Sequence, residues 1–239
     1  MKTYDDTALA RAATFIVRDF LCTKAGEQVL ITADTASDAV AVQALLRAAC
    51  VEGARAAVIT VPQLRYQGAL ADPYVAEPLQ AAMLACDVWL DLTFPYLAGS
   101  AAHAAAMKQK RVRGLMFHDL DGAGMARLFN PDLFTRLFDL QEAIDAVVNA
   151  STGKTCQVTN PLGTNVSFTI GRPATKKTRR VEEPGTYTPP GSAVIYPEIE
   201  TVKGRIVIEA TFHEYFTLDR KSTRLNSSHT DISRMPSSA

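Results

Sequence analysis

Between residues 7 and 22 the stretch TALARAATFIVRDFLC places Leu9, Ala13, Ile16, Val17, Phe20 and Leu21 on one stripe at helical spacing, leaving Arg11 and Arg18 for water. This predicts an amphipathic first helix. KAGEQVLITAD then turns, after a glycine, into a short β-branched apolar run ending at Asp34, which reads as a buried strand. TASDAVAVQALLRAACVEGA follows with a Ser37 or Asp38 cap, a helical period, and Gly53 just past the last periodic residue. The alternation continues with ARAAVITVP as strand, PYVAEPLQAAMLA as helix, CDVWLDLTF as strand, GSAAHAAAMKQK as helix and RVRGLMFH as strand. A further helix, NPDLFTRLFDLQEAIDAVVNA, starts with Asn130 as cap and Pro131 at its first position.

Strands alternating with helices through short joints predict right-handed β-α-β units and a parallel sheet. The pattern changes after residue 150. TCQVTNPLGTNVSFTIG alternates polar and apolar positions about a Pro-Leu-Gly turn, which predicts a hairpin. A basic, proline-containing loop, RPATKKTRRVEEPGTYTPPG, leads to two further strands, AVIYP and RIVIEATF. The predicted class is therefore α/β: a Rossmann-like parallel-sheet domain over 1–150, then the opening of a β-rich α+β domain over 151–218, expected to be incomplete.

The closing stretch DRKSTRLNSSHTDISRMPSSA has no periodicity and too few apolar residues to offset its ordering entropy. Back-translated in one frame, its two ends resemble a common short-read sequencing adapter flanking an index. Residues 219–239 are thus expected to be a disordered, non-native tail, and the chain an amino-terminal fragment.

The 239 residues carry 25 basic and 25 acidic side chains, a formal charge of zero, so bulk electrostatics give no case for nucleic acid or an anionic membrane. No apolar run is long enough for a membrane span, and the acidic start MKTYDDTALARAA lacks the pattern of a signal peptide, so a cytoplasmic location is expected. Cys22, Cys50, Cys86 and Cys156 show no Cys-x-x-Cys spacing and read as buried free thiols.

Individual motifs stay incomplete. ASTGKT at 150–155 lacks the first glycine of a phosphate loop, since Val148 stands there, and it follows a helix, so an interdomain joint is expected. DGAGMA at 121–126 reads as a helix start. His213 and Glu214 lack a second imidazole, Thr217 taking its place. His118 and Asp119 fall at the carboxyl end of the fourth strand, where open parallel sheets bind ligands, without a third partner nearby. His103 has no partner on its Ala-rich helix. Lys176, Lys177, Arg179 and Arg180 form a basic run without aromatics and read as a solvated loop.

The succession KAGEQVLITAD, CDVWLDLTFPYL, VTNPLGTNVSFTIGR and PPGSAVIYPEIETVKGRIVIEATF resembles the amino-terminal half of the aminopeptidase T and aminopeptidase S metallopeptidases, whose superfamily includes 2,5-dihydroxypyridine dioxygenase. The resemblance implies a metal-dependent, leucyl aminopeptidase-like hydrolase acting on peptides, dimeric when intact, using Zn, Co or Mg in a carboxyl-terminal domain. The peptidases place a glutamate ligand where this chain has Ser192 or Ala193. The dioxygenase members lack that glutamate and hold Fe(II) through two His and one Asp, which makes a ring-cleaving dioxygenase the alternative. A non-catalytic binding or assembly module is the third reading. No catalytic or metal residue is expected within this stretch, so the polypeptide itself is expected to be inactive, with Glu198 and Glu200 as possible lining residues of the site.

Overall fold

The structure is a computed structural model that describes residues 5–117, 120–172, 181, 183–189, 194–207 and 223–225. In chain order the helices are α1 (Asp6–Thr14), α2 (Ala39–Val51), α3 (Glu77–Ala85), α4 (Ala101–Lys108), α5 (Gly122–Leu128) and α6 (Pro131–Ala150). The strands are β1 (Gln28–Asp34), β2 (Arg55–Val61), β3 (Val88–Asp91), β4 (Arg113–Met116), β5 (Thr155–Thr159), β6 (Asn165–Thr169), β7 (Gly185–Tyr187), β8 (Lys203–Ile206) and β9 (Thr223–Leu225). Two units divide the chain, Met1–Asp139 with Thr178–Gly191 and Leu140–Lys177 with Ser192–Ala239.

The first unit is a five-stranded parallel sheet in the order β2-β1-β3-β4-β7, and the α/β class predicted from the alternation is what the structure shows. Side chains alternate across the pleat, so each strand feeds two cores. Val29, Ile31, Ala33, Val88, Leu90 and Leu115 join α1, α2 and the aromatic group Phe20, Phe129 and Phe134 on one face. Leu30, Trp89 and Met116 join α3, α4 and Leu97 on the other. All five side chains that β1 and β3 give to the first of these faces are buried, as expected for central parallel strands.

Local sequence explains most boundaries. Asp5 caps α1 by accepting from the N–H groups of Thr7 and Ala8 at 3.0 and 3.3 Å. Asp38 caps α2 through the Val40 N–H at 3.0 Å, and Gly53 at φ 75° follows its end, in the left-handed conformation that glycine adopts without strain. The single helix expected over 7–22 does not run through. From Phe15 to Phe20 it widens into a π-helical turn, with the Leu21 N–H on the Ile16 carbonyl at 2.9 Å. The wider winding keeps Ile16, Val17, Phe20 and Leu21 buried together, and Cys22 at φ 50° ends it.

Two other segments differ from expectation. Residues 73–76 of the predicted third helix belong to a 3-10 turn, Gly68–Tyr74, and its exit, because Pro73 and Pro78 break the register; α3 begins at Glu77. Gly185–Tyr187, inside the stretch read as a loop, forms β7 and pairs with Arg113–Leu115 of β4. Three residues between prolines give no periodicity to read.

In the second unit β5 and β6 form the predicted hairpin, pairing Thr155–Thr159 with Asn165–Thr169. Its turn is organised by the Asn160 side chain, which accepts from the N–H groups of Leu162 and Thr164 at 3.1 and 3.0 Å. β8 lies antiparallel to β6, and β9 antiparallel to β8. Gly204, at φ 127°, faces Val166 so closely that a Cβ there would strike the Asn165 carbonyl. The strand expected over AVIYP is reduced, among the described residues, to one bridge between Pro197 and Ile170, since proline offers no N–H to a ladder. Of the closing stretch expected to lack structure, residues 223–225 are described, as β9.

Candidate functional site

In an open parallel sheet, ligands bind where the strand order reverses, at the carboxyl ends of the strands. Here the chain leaves β1 for β2 on one side and returns to β3 on the other, so the reversal lies between β1 and β3. Those strands end in Asp34 and Asp91, both buried.

Asp91 lies on the same face as Trp89. One of its oxygens accepts from the Thr32 hydroxyl at 2.7 Å, the Thr93 hydroxyl at 2.7 Å and the Thr93 N–H at 3.1 Å. The other accepts from the Leu97 N–H at 3.0 Å. The Trp89 indole N–H donates to the Thr32 hydroxyl at 2.9 Å, extending the chain of bonds under the sheet end. Complete burial pushes the Asp91 carboxyl above the usual carboxylate range, and the bonds from Thr93, Thr32 and Leu97 act against that rise.

Asp34 is equally occupied. It accepts from the Phe94 N–H at 2.7 Å, the Ala36 N–H at 2.8 Å and the Ser37 hydroxyl, which also donates to the Leu92 carbonyl at 2.9 Å. Gln63, beyond β2, donates to the Phe94 carbonyl at 2.8 Å. Asp38 accepts from the Gly122 N–H at 2.9 Å, tying the start of α5 to the start of α2. Each carboxylate therefore holds loop backbone in place. The rim is a rigid frame of acceptors, and chemistry at it would come from groups that the loops present.

Opposite the rim, at the amino ends, Arg113 and Glu27 form a forked pair, Nη2 to Oε2 at 2.7 Å and Nη1 to Oε1 at 3.2 Å. Arg113 Nε donates to the Leu21 carbonyl at 3.1 Å. This clamp ties β4 to the entrance of β1 and to the end of the π-helical turn.

His103 has partners that its surroundings in sequence concealed. Nδ1 accepts from the Gly99 N–H at 3.3 Å, which leaves Nε2 as the donor to the Thr186 hydroxyl at 2.7 Å. The Trp89 ring lies 5.9 Å away, and burial lowers the imidazole pKa. The signal was beyond sequence reach, because Thr186 is brought to α4 only by β7.

Glu200 sits on the 3-10 turn Ile199–Thr201 of the second unit and Glu198 immediately precedes it, both exposed, and the Glu198 N–H donates to the Thr169 carbonyl at 2.8 Å. His118, Asp119, Ser192, Ala193, His213, Glu214 and the basic run from Lys176 to Arg180 lie outside the described residues. Ser151–Lys154 is a turn between α6 and β5 and not the strand-to-helix turn of a phosphate loop; it lies within the second unit, since the two units part between Asp139 and Leu140. Asp121 caps α5, so DGAGMA is a helix start. The cysteines are free, and Cys50 is exposed where a buried thiol was expected, since α2 turns it to solvent. Among the described residues no three His, Cys, Asp or Glu side chains converge on a point where they could hold a metal ion, and no helix is long and apolar enough to cross a membrane.

The fold has solved counterparts. A 2,5-dihydroxypyridine dioxygenase from Pseudomonas putida KT2440 superposes with a TM-score of 0.57 at 16% identity, over 85% of this chain and 60% of that one. AmpT from Thermus thermophilus superposes with a TM-score of 0.58 at 14% identity, over 94% of this chain and 70% of that one. The chain thus spans 60% of the length of the dioxygenase. No curated protein matches the chain. Residues 19–217, from the π-helical turn through both units, match the family described as NicX, 2,5-dihydroxypyridine 5,6-dioxygenase, and the chain belongs to that family.

Proposed function

We propose that the protein works in oxidative ring cleavage of a dihydroxylated pyridine, as a dioxygenase of the NicX type. The observation that carries this reading is the family match over residues 19–217. The likeness to AmpT, at 14% identity, supports a common fold and brings no chemistry of its own. In this reading the first unit is the scaffold, its carboxylates spent on loop backbone.

The dioxygenases that the sequence resembles use Fe(II), and the related aminopeptidases use Zn, Co or Mg. The described residues do not fit such an ion, since no trio of ligating side chains comes together among them. No step through a metal is therefore derived from this chain's residues. The substrate and the metal belong to the proposal.

The test begins with long reads of the gene across codon 218, which establish the polypeptide to be assayed. That polypeptide is supplied with Fe(II) and 2,5-dihydroxypyridine in an oxygen electrode. Expected is loss of the ring absorbance with equimolar oxygen uptake. Hydrolysis of a leucine anilide with Zn, Co or Mg, without oxygen uptake on the pyridine, would overturn the reading in favour of the peptidase.

A further inference from the structure

A neutral imidazole has one donor and one acceptor, an imidazolium two donors, and the surroundings of His103 fit the first. Nδ1 faces the Gly99 N–H at 3.3 Å and accepts from it, and Nε2 donates to the Thr186 hydroxyl at 2.7 Å. A proton added at Nδ1 would set two N–H donors head to head. Turning the ring to relieve that takes Nε2 away from Thr186. Burial beside Trp89, whose ring centroid lies 5.9 Å away, adds a desolvation cost to the charged form.

The two partners of the ring belong to different segments. Gly99 lies at the end of the loop from β3 to α4, and at φ 85° it approaches Gly68 so closely that a Cβ there would lie 3.2 Å from the Gly68 Cα. Gly68 opens the 3-10 turn after β2, so His103 fixes the point where two loops of the carboxyl rim meet. Thr186 is the middle residue of β7, an edge strand of three residues and for that reason one of the easier elements to open. We propose that His103 is a proton-operated latch: neutral, it fixes the Gly68–Gly99 contact and the edge strand β7, and protonated it turns away and releases both.

The charged groups on the elements around the ring are Asp72 on the 3-10 turn, Asp91 on β3, Glu77 at the start of α3 and Lys108 in the last turn of α4; β7 brings none. Asp72 accepts from the Ala101 N–H at 2.7 Å, and Asp91 is reached from Trp89 only through the Thr32 hydroxyl, so neither carboxylate bonds the imidazole. The rest of the β3–α4 loop is held elsewhere, Leu97 by Asp91 and Phe94 by Asp34, which confines the release to the Gly99 end and β7. The latched ring has the lower pKa, so the latch is fully present above the ordinary value of 6.5 and is lost as pH falls through the latched value. The latch is independent of the ring-cleavage reading, because no metal or substrate contact enters it.

The experiment is a titration of the purified chain from about pH 8 to about pH 5 with two readouts. Trp89 is the sole tryptophan, and an imidazolium formed beside it or withdrawn from it changes its emission, so fluorescence follows His103. Amide exchange, corrected for its intrinsic pH dependence, follows Gly99 and Gly185, the latter bonded to the Val112 carbonyl at 2.9 Å. Expected is one step in Trp89 emission with its midpoint below 6.5, together with exchange at Gly99 and Gly185 faster by at least about tenfold, while Phe94 and Leu97 keep their protection. His103→Gln offers an acceptor and a donor without a titrating group and is expected to abolish the step. Thr186→Val weakens the latched state and is expected to move the midpoint up towards 6.5. A wild-type chain without the step, a step that persists in His103→Gln or is unmoved by Thr186→Val, an emission change with Gly99 and Gly185 still protected, or loss of protection at Phe94 and Leu97 along with them, would each overturn the proposal.

Discussion

Removing Glu27 strands a buried cation, and the size of the effect follows from the geometry. The Arg113 side chain is 10% exposed and that of Glu27 19%, so both ions are largely out of water. They share two bonds, at 2.7 and 3.2 Å, and Glu27 also accepts from the Lys24 N–H at 2.8 Å. Breaking a buried pair by deleting one partner costs about 3–5 kcal/mol, most of it the desolvation of the charge left behind. Glu27→Ala is expected to fall in that range. Arg113→Met keeps the volume but deprives the Leu21 carbonyl and Glu27 of donors, and is expected to cost about 2–4 kcal/mol. The double variant removes both charges, so it should be less damaging than the two singles added together. A coupling of about 2–3 kcal/mol is expected from urea unfolding of the four proteins with a constant m-value. Coupling below about 0.5 kcal/mol, the range of solvent-screened surface pairs, would refute the argument that this pair is clamped out of water.

Three other outcomes follow from the same structure. Burial lowers the His103 pKa below its usual 6.5, so the stability linked to it is present above the unfolded value and is lost as pH falls through the lower folded one; His103→Gln should flatten the acid limb of a melting-temperature profile between pH 7 and 5. Burial pushes the Cys86 thiol up to about 12, while Cys50 is exposed, so alkylation at neutral pH followed by mass spectrometry should label Cys50 first and Cys86 only on unfolding. Gly204→Ala forces a Cβ against the Asn165 carbonyl at a φ that alanine avoids; it should cost about 2–4 kcal/mol and speed amide exchange across the β6–β8 pairing, with unchanged exchange at those amides counting against the steric argument.

The carboxyl rim shows how far a local reading reaches. Asp34 was legible as the end of a buried strand, and Asp91 closes the apolar run CDVWLD in the same way. What each carboxylate does was not legible. Asp91 takes its bonds from Thr32, 59 residues away in sequence, and from the loop after β3; Asp34 takes one from Phe94, 60 residues away. Glu198 and Glu200 were singled out as the acidic residues nearest the position where the related peptidases carry a glutamate ligand, and the fold sets them at an exposed turn.

Periodicity, caps and turn residues by themselves determined the alternating strands β1 to β4 and the helices between them, and with them the parallel arrangement, because each is a property of contiguous residues repeating at 3.6 or 2. The β5–β6 hairpin was decided the same way, by its Pro-Leu-Gly turn between alternating runs. Only the tertiary structure decided the π-helical turn, the return of Gly185–Tyr187 to the edge of the sheet, the Arg113–Glu27 clamp and the partners of His103. Those depend on which distant segments the sheet brings within hydrogen-bond reach, and strand order leaves no mark on the local pattern of apolar and polar positions.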